Sequence, residues 1–204
     1  NELVIESPAI LAAFIKEFTA QIEGVEGELV LSEADRILPI DKSIVFIKDP
    51  FSVDINPRKI LTKLYSQLSE YANDIFAQER TLFYQSYIQY MDYLCEKCDL
   101  FLAYEEEPET QDIFKLAKIK IDCQSEDLLE QIVEYIKVSI ELLQQDIFVF
   151  LNLKLFLSRE EIEALYNECF DRKVHLILIE AVFQEKLAKE KVCIIDKDKC
   201  ILYL

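Results

Sequence analysis

The fold is decided by residues 146–181, DIFVFLNLKLFLSREEIEALYNECFDRKVHLILIEA. Asp146–Leu153 and Val174–Ala181 are continuous apolar runs, the pattern of strands that are buried on both faces of a sheet. Between them, Ser158–Glu161 reads SREE, a capping box that starts a short helix ending near Asp171. Strand, helix and strand at this spacing predict a right-handed βαβ unit.

Both ends of the chain add elements to this unit. Ser7 and Pro8 form a cap-and-proline start for a helix that ends near Gly24. Strands are predicted at Glu28–Ser32 and, on a firmer pattern, at Ser43–Asp49. The final runs VCII and CILYL are predicted strands on either side of the turn DKDK. These patterns indicate an α/β domain with a mostly parallel sheet.

A long helical stretch interrupts this domain. Asn56-Pro57 repeats the cap-and-proline signal, and fifty residues without glycine or proline follow from Arg58. Their spacing predicts two long helices, or one that is broken near Asn73-Asp74. Ser125 opens a further helix. The sequence therefore predicts a discontinuous sheet domain, residues 1–56 and 146–204, with an α-helical extension over 57–145.

Composition excludes several classes of protein. The chain has 204 residues, of which 51% are hydrophobic, so it is not disordered. Its net charge of −17 repels nucleic acid and anionic membranes, so any DNA binding requires a local basic surface. No apolar run approaches the roughly 20 residues of a membrane span. Six scattered cysteines indicate reduced thiols, and we expect a cytoplasmic protein.

Motifs for nucleotide and covalent chemistry are absent or incomplete. Neither G-x-x-x-x-G-K-[ST] nor G-x-G-x-x-G occurs, which disfavours an NTPase. His175 is the only histidine and lies in a strand expected to be buried, so a structural role is favoured over a catalytic one. Cys95 and Cys98 have the spacing of half a zinc site, which helix packing also explains. Six tyrosines suit base stacking, but core or interface packing is favoured: Tyr65, Tyr71, Tyr84, Tyr87, Tyr90 and Tyr93.

Charges are segregated along residues 99–120. Asp99, Glu105, Glu106, Glu107, Glu109 and Asp112 come first, and Lys115, Lys118 and Lys120 follow. Carboxylate oxygens suit hard cations such as Ca²⁺ or Mg²⁺, although the spacing matches no EF-hand loop. An exposed acidic loop beside a solvated basic turn explains the same pattern, so from composition alone both interpretations stay open.

Five stretches in a fixed order resemble the ring-forming spacer-acquisition protein of type II-A CRISPR systems, in its short streptococcal and enterococcal form. They are LVIES (3–7), FIKDPFSVDINPRKILTKLYSQL (46–68), IKIDCQSEDLLEQIVEYIKV (119–138), IFVFLNLKLFLSREEIEALY (147–166) and VHLILIE (174–180). The family usually has a short strand ahead of the counterpart of ELVIE. We therefore expect a segment to precede Asn1.

The resemblance implies a function as well as a fold. Family members resemble a P-loop-like α/β fold without the phosphate loop, carry a long helical arm, and are not known as enzymes. They form homotetrameric rings, held by calcium, that thread the ends of linear double-stranded DNA without sequence preference. They act beside the CRISPR effector nuclease and the spacer integrase proteins during spacer acquisition.

The resemblance also implies site residues. Calcium ligands are expected among Asp99, Glu105, Glu106, Glu107 and Asp112, with Asp99 and Asp112 at positions that are acidic across the resemblance. Lys115 and Lys120 match basic positions, whereas Lys118 does not. Further DNA-binding candidates, placed by segment only, are Lys16, Arg58, Lys59 and Lys63.

A ring reconciles these expectations with the net charge. Four copies gather their lysines around one axis, so phosphate contacts add while acids face outward or bind Ca²⁺. Two other interpretations remain. The chain is an acidic protein-interaction module that oligomerises through its helical arm without contacting nucleic acid, or it is a degenerate NTPase that still binds ATP.

Overall fold

The computed structural model describes residues 1–33 and 36–204. Its strands are β1 (Glu2–Ile5), β2 (Leu31–Glu33), β3 (Arg36–Leu38), β4 (Ile44–Ile47), β5 (Ile147–Leu151), β6 (His175–Glu180), β7 (Val192–Ile195) and β8 (Ile201–Tyr203). Its helices are α1 (Pro8–Ile22), α2 (Ile40–Ser43), α3 (Arg58–Asp74), α4 (Ala77–Glu96), α5 (Thr110–Leu116), α6 (Leu128–Leu143) and α7 (Arg159–Asp171). Two 3₁₀ turns, Pro50–Ser52 and Leu153–Leu155, follow β4 and β5.

Six strands of the described chain form one sheet in the order β4-β5-β6-β1-β7-β8, while β2 and β3 pair as a separate antiparallel ribbon. Each neighbouring pair from β4 to β7 is parallel, and β8 runs antiparallel to β7. The predicted α/β fold with a mostly parallel sheet is confirmed. The predicted βαβ unit is also present, since α7 joins the parallel neighbours β5 and β6.

Strand β5 is apolar throughout because it is covered on both faces. Phe148 and Phe150 pack in one cluster with buried side chains of α6 and α7. Ile147 and Val149, the alternate residues, pack in a second cluster with Phe18 of α1. The sheet is therefore the middle layer of three, with α6 and α7 on one side and α1 on the other.

The capping box at the start of α7 forms as predicted. The Ser158 hydroxyl oxygen accepts a hydrogen bond from the Glu161 amide at 3.3 Å, and the Glu161 carboxylate accepts one from the Ser158 amide at 2.6 Å. These bonds favour the ionised carboxylate and lower the pKa of Glu161. The box fixes where the chain turns from β5 into the helix that covers it.

The chain forms two compact units, residues 1–55 with 123–204 and residues 56–122. The sequence predicts a helical extension over 57–145, but the inserted unit ends at Asp122 in the structure. Helix α6 accounts for the difference, because Ile132 and Ile136 are buried in the cluster that contains Phe148 and Phe150. The helix predicted in this stretch is therefore present, but its apolar face packs in the core of the sheet unit.

The inserted unit, which we call the arm, contains α3, α4 and α5. The predicted break near Asn73-Asp74 is confirmed, because α3 ends at Asp74 and α4 begins at Ala77. Tyr84 is buried in the arm, and its hydroxyl donates to the Pro108 carbonyl at 2.7 Å. Tyr71, Tyr90 and Tyr93 are exposed, so packing within the arm accounts for only part of the tyrosine pattern.

Several local expectations differ from the structure. Ser7 precedes α1, but its side chain makes no capping hydrogen bond. The strand expected at Glu28–Ser32 starts later, at Leu31. The helix expected from Ser125 starts at Leu128, because Asp127 caps it by accepting from the Glu130 amide at 3.0 Å. His175, expected to be buried, is exposed as the first residue of β6. Within the described ranges, every helix is too short or too polar to cross a bilayer.

Replacing Ile136 by alanine tests whether α6 belongs to the sheet unit. Ile136 is 2% exposed, so Ile136→Ala leaves a cavity, and we expect the free energy of unfolding to fall by about 2–5 kcal/mol. Urea unfolding followed by circular dichroism measures the change. Ile37→Ala, at a site that is 78% exposed, is the control and should stay within about 0.5 kcal/mol of the wild type. Equal effects of the two substitutions would contradict this placement of α6.

Candidate nucleic-acid and metal-binding surfaces

A short basic segment of the arm, residues 118–122, is fixed beside the start of α3. The Tyr65 hydroxyl donates to the Ile119 carbonyl at 2.8 Å. The Asn56 amide makes two bonds to Ile121, donating to its carbonyl at 2.9 Å and accepting from its amide at 2.8 Å. Asn56 was expected to cap α3, but Pro57 occupies the cap position and Asn56 holds the basic segment instead.

The basic segment presents alternate residues to solvent. Ile119 and Ile121 are partly buried, whereas Lys118, Lys120 and Asp122 are exposed. Lys118 has a φ of 53°, the left-handed region, and follows α5 at the point where the chain turns into the segment. The two lysines are therefore displayed on a backbone that is held at three points by α3 and the residue preceding its cap.

The start of α3 carries three more of the predicted basic residues. Arg58, Lys59 and Lys63 are all exposed. The first turn of α3 contains no acidic residue, although acids are favoured near the positive end of a helix. Each cation placed there costs roughly 0.3–1 kcal/mol at low ionic strength. An anionic partner would remove that unfavourable interaction, so the helix start and the basic segment together suit phosphate binding.

The remaining predicted cations lie in different surroundings. Lys115 is exposed, and its ammonium pairs with Asp112 at 2.8 Å. The hydrogen bond and the charge of Asp112 raise the pKa of Lys115. Lys115 is therefore partly neutralised by one of the predicted calcium ligands. Lys16 is exposed on α1, which belongs to the sheet unit.

The predicted calcium ligands are exposed but do not converge within one chain. Asp99, Glu105–Glu107 and Asp112 all face solvent. In residues 1–33 and 36–204, no three Asp, Glu, His or Cys side chains are grouped closely enough to hold a metal ion. Ca²⁺ takes six to eight oxygen ligands. The carboxylates are thus of the right chemical type, but the described arrangement of a single chain does not form a calcium site.

The acidic stretch is nevertheless attached to α4. The Tyr104 hydroxyl donates to the Asp92 carboxylate at 2.6 Å and contacts the Ile88 carbonyl at 3.3 Å. The hydrogen bond to Asp92 raises the pKa of Tyr104 to about 12, so the phenol remains a donor at neutral pH. This hydrogen bond fixes the chain next to Glu105. The half zinc site suggested by Cys95 and Cys98 gains no further ligands among the described residues.

A family model provides the deciding comparison. The model described as CRISPR-associated protein (Cas_Csn2) matches residues 21–199. The chain belongs to the Cas_Csn2 family. The resemblance seen in the sequence is confirmed, and membership of the family supports a role in CRISPR adaptation.

A solved structure resembles this Cas_Csn2 protein in fold. The crystal structure of Stu0660 of Streptococcus thermophilus matches with a TM-score of 0.57 and 12% sequence identity. The match covers 100% of this chain and 70% of that chain. At this identity the likeness shows the fold alone. No curated protein matches the chain.

The arm of this Cas_Csn2 protein exposes many large apolar side chains. Phe101 is fully exposed, and its neighbours Leu100 and Leu102 are exposed as well. Others lie along α4, namely Leu82, Phe83, Tyr90, Tyr93 and Leu94. Apolar exposure on this scale is typical of a surface that is covered by a protein partner or another copy of the chain. The sequence predicts core or interface packing, in preference to base stacking, for the tyrosines of this helix.

Sequence reasoning missed a buried ionic cluster in the sheet unit. The Lys154 ammonium lies 2.9 Å from Glu2 and 2.8 Å from Glu190, and all three side chains are buried. Both Lys154 contacts are ion pairs without a well-directed hydrogen bond. Glu180, also buried, accepts from the Lys154 backbone amide at 3.1 Å. The available signal was the presence of single charges inside apolar stretches, as in ELVI, LNLKLF and HLILIE.

The carboxyl ends of β5 and β6 are closed by the protein's own oxygens. The Asn152 side chain accepts from the Ala181 amide at 3.0 Å, and the Asn152 amide donates to the Ile179 carbonyl at 2.7 Å. Glu180 similarly accepts from Lys154. Nucleotides bind at this edge in open α/β sheets by using such amides. Because these three amides are already bonded, the edge offers fewer donors to a phosphate.

Removing the Tyr65 hydroxyl tests whether it holds the basic segment in place. In Tyr65→Phe the Ile119 carbonyl loses its bond, and a hydrogen bond contributes about 1 kcal/mol. We therefore expect trypsin to cleave after Lys118 and Lys120 roughly fivefold faster, as measured by mass spectrometry. Tyr71→Phe is the matched control, because within the described chain the Tyr71 hydroxyl bonds only Gln67, on its own helix. Unchanged cleavage in Tyr65→Phe would show that the bond does not restrain the segment.

Proposed function

We propose that this Cas_Csn2 protein binds the ends of linear double-stranded DNA during CRISPR spacer acquisition, without sequence preference and without catalysing a reaction. The proposed binding form is a homotetrameric ring that is stabilised by Ca²⁺. Membership of the Cas_Csn2 family supports the adaptation role. The proposal further assigns the effector nuclease and the spacer integrase as protein partners, and the cytoplasm as the location.

The observation that carries DNA binding is the arrangement of cations on the arm. Lys118 and Lys120 are exposed on a segment that is bonded to Tyr65 and Asn56. Arg58 and Lys59 begin the same helix that supplies Tyr65. A fixed backbone reduces the entropy that is lost when a lysine is immobilised on a phosphate. The surface is thus partly organised before DNA arrives.

The local charge of the arm is more favourable than that of the whole chain. Residues 56–122 contain eight Lys and Arg and twelve Asp and Glu, a much smaller imbalance than the total of −17. Most of the excess negative charge therefore lies in the sheet unit. Repetition in a ring would place several copies of the basic surface around one duplex, and phosphate contacts from different copies add.

The chemistry of the surface indicates recognition of backbone rather than bases. Lysine contacts to phosphates fix position but carry no sequence information. Binding should therefore ignore sequence and weaken steeply with salt. A closed ring adds a requirement for a free end, because the duplex has to be threaded through it.

A comparison of DNA topologies tests threading. With calcium present, we expect the protein to shift a linear duplex with free ends in a gel. A duplex blocked at both ends with streptavidin and a relaxed circular plasmid should shift far less, because neither can enter the ring. Salt is held constant across the samples, since salt alone changes affinity. Equal shifts of circular and linear DNA would exclude threading.

The same assay tests the assigned cations. Lys118→Ala/Lys120→Ala should weaken binding and reduce the magnitude of the salt slope by about one for each phosphate contact that is lost. Lys197→Ala is the control, since Lys197 is an exposed lysine in the turn between β7 and β8 of the sheet unit. If the double variant and the control bind alike, these two lysines do not contact DNA.

Calcium dependence is tested by oligomer mass. We expect light scattering to give a tetramer in calcium and a smaller species after chelation. Asp99→Asn/Asp112→Asn should require more calcium for the same mass, because each substitution removes a charged oxygen ligand. Glu141→Gln, at an exposed position on α6, is the matched control. A monomer in saturating calcium would overturn the ring.

A second candidate function is favoured by the exposed apolar side chains of the arm. In this alternative, the arm is an oligomerisation or partner-binding surface, and the protein acts as a scaffold without contacting nucleic acid. Its mass should then be indifferent to chelation, and no duplex should shift. The two measurements above therefore separate the candidates.

A further inference from the structure

The buried ionic cluster of the sheet unit contains more acids than bases. Glu2, Glu180 and Glu190 are 2%, 2% and 4% exposed, and Lys154 is the one ammonium that contacts them among the described side chains. Burying an unpaired carboxylate costs several kcal/mol, so a cluster with three ionised acids is strongly disfavoured. At least one of the acids is therefore expected to hold a proton when the unit is folded.

The hydrogen bonds show which acid remains ionised. Glu190 contacts the Lys154 ammonium, and it accepts from the Tyr166 hydroxyl at 2.5 Å and from the Leu187 amide at 3.0 Å. Burial opposes the charge of Glu190, but the hydrogen bonds from Leu187 and Tyr166 and the ion pair with Lys154 outweigh it and lower its pKa. Glu190 is thus the natural partner of Lys154.

The other two acids have weaker support for a charge. Glu2 approaches Lys154 with one oxygen, and neither oxygen has a well-directed hydrogen bond. Glu180 accepts a single backbone bond, from Lys154. Burial raises the pKa of both carboxyls, that of Glu180 to about 7. The proton is therefore expected to reside on Glu180 or Glu2 at and below neutral pH.

Apart from Glu190, the segment that covers the cluster is attached mainly through Leu187 in the core cluster, Phe183 against Val4, and the Lys191 carbonyl, which accepts from the Glu2 amide at 2.9 Å. Residues 182–191 connect β6 to β7 without regular structure, and Leu187 and Glu190 are their buried side chains. Gln184 donates to the Lys154 carbonyl at 3.3 Å, while Glu185 and Lys189 make exposed contacts with α7. Segments with few buried contacts open at low free-energy cost. Its attachment consequently depends on the charge state of the residues beneath it.

We propose that the cluster is a pH-dependent latch: loss of the proton held by Glu180 and Glu2 releases segment 182–191 from the sheet unit. With the proton present, one ammonium faces two carboxylates and one neutral carboxyl, and Glu190 keeps the segment attached. Without it, three negative charges surround one positive charge. Opening the segment carries Glu190 into water and admits solvent to the remaining acids, which relieves the repulsion.

The other titratable groups around the cluster do not produce this behaviour. Burial raises the pKa of the Cys169 thiol to about 12 and that of the Tyr166 hydroxyl above its ordinary range, so both stay neutral.

The direction of the pH effect follows from linkage. A carboxyl whose pKa is raised in the closed state contributes stability that is complete below its open-state pKa and is lost as pH rises through the closed-state value. For Glu180 the window runs from 4.5 to about 7. Between pH 6 and pH 8, a single group with these values increases the opening equilibrium constant roughly tenfold.

Hydrogen exchange at the Leu187 amide tests the latch, because this buried amide donates to the Glu190 carboxylate, which connects the segment to Tyr166 of α7 and to Lys154. In the full-length wild type, we expect its protection factor, corrected for intrinsic exchange, to fall about tenfold from pH 6 to pH 8. Glu180→Gln should remove most of this dependence, since the amide is neutral at every pH and its oxygen can still accept from Lys154. Both experiments require no DNA or calcium, so their outcome is independent of the proposed function.

Two controls and three results decide the proposal. Glu141→Gln, an exposed acid on α6, and His175→Gln, which removes the only imidazole, should both retain the wild-type dependence. A wild-type protection factor that is constant between pH 6 and pH 8 would overturn the latch. So would an undiminished dependence in Glu180→Gln. Failure of Glu180→Gln to fold at pH 6 would equally contradict it, because a neutral side chain is what the latch requires there.

Discussion

Burial of β5 on both faces is the constraint on which the rest of the sheet unit depends. A strand with Phe148 and Phe150 on one face and Ile147 and Val149 on the other is stable only between two helical layers. One layer is supplied by α1, before the arm, and the other by α6 and α7, after it. The chain therefore has to return from the arm before β5 begins, and α6 is the returning helix.

The arm has a different physical basis. Its regular elements bury little, since Ile60 and Tyr84 are the buried hydrophobic residues of α3, α4 and α5. Side-chain bonds to backbone carbonyls, from Tyr65, Tyr84 and Tyr104, connect its helices to its irregular stretches. These tyrosines link the helices to the loops, because each contributes an apolar ring to the arm and a hydroxyl that donates to a backbone carbonyl. The apolar side chains that remain exposed form a surface of the kind that protein partners or further copies of a chain cover.

Much of the fold could be predicted because local signals and tertiary demands agree. Ser158 and Glu161 form a capping box that marks the helix start locally, and the unbroken apolar runs on either side indicate buried strands. The end of the arm could not be predicted, because the periodicity of α6 reveals a helix but not which unit receives its apolar face. The role of Asn56 was similarly ambiguous. An asparagine before a proline can cap a helix, and it can equally well bond the backbone of a segment that is distant in the sequence.

The residue types of the candidate site could be predicted from the sequence, but their arrangement in space could not. Composition and resemblance identified exposed lysines and carboxylates, and the structure has them exposed. No sequence pattern indicated that Ile119 and Ile121 are bonded to α3, because such contacts depend on residues more than fifty positions apart. The clustering of the buried acids could not be predicted for another reason. Single charges in apolar runs resemble strand ends, and only their convergence around Lys154 gives them a common role.

The Asn56 bridge also has a consequence for how this architecture can vary. By joining the first residue of the arm to Ile121, it brings the entry and exit of a 67-residue insertion side by side. Because the two ends of the insertion are adjacent, the strands of the sheet unit do not have to shift in register when the arm changes in length. Evolution can therefore lengthen, shorten or recharge the arm and so alter its reach while the sheet keeps its pairing.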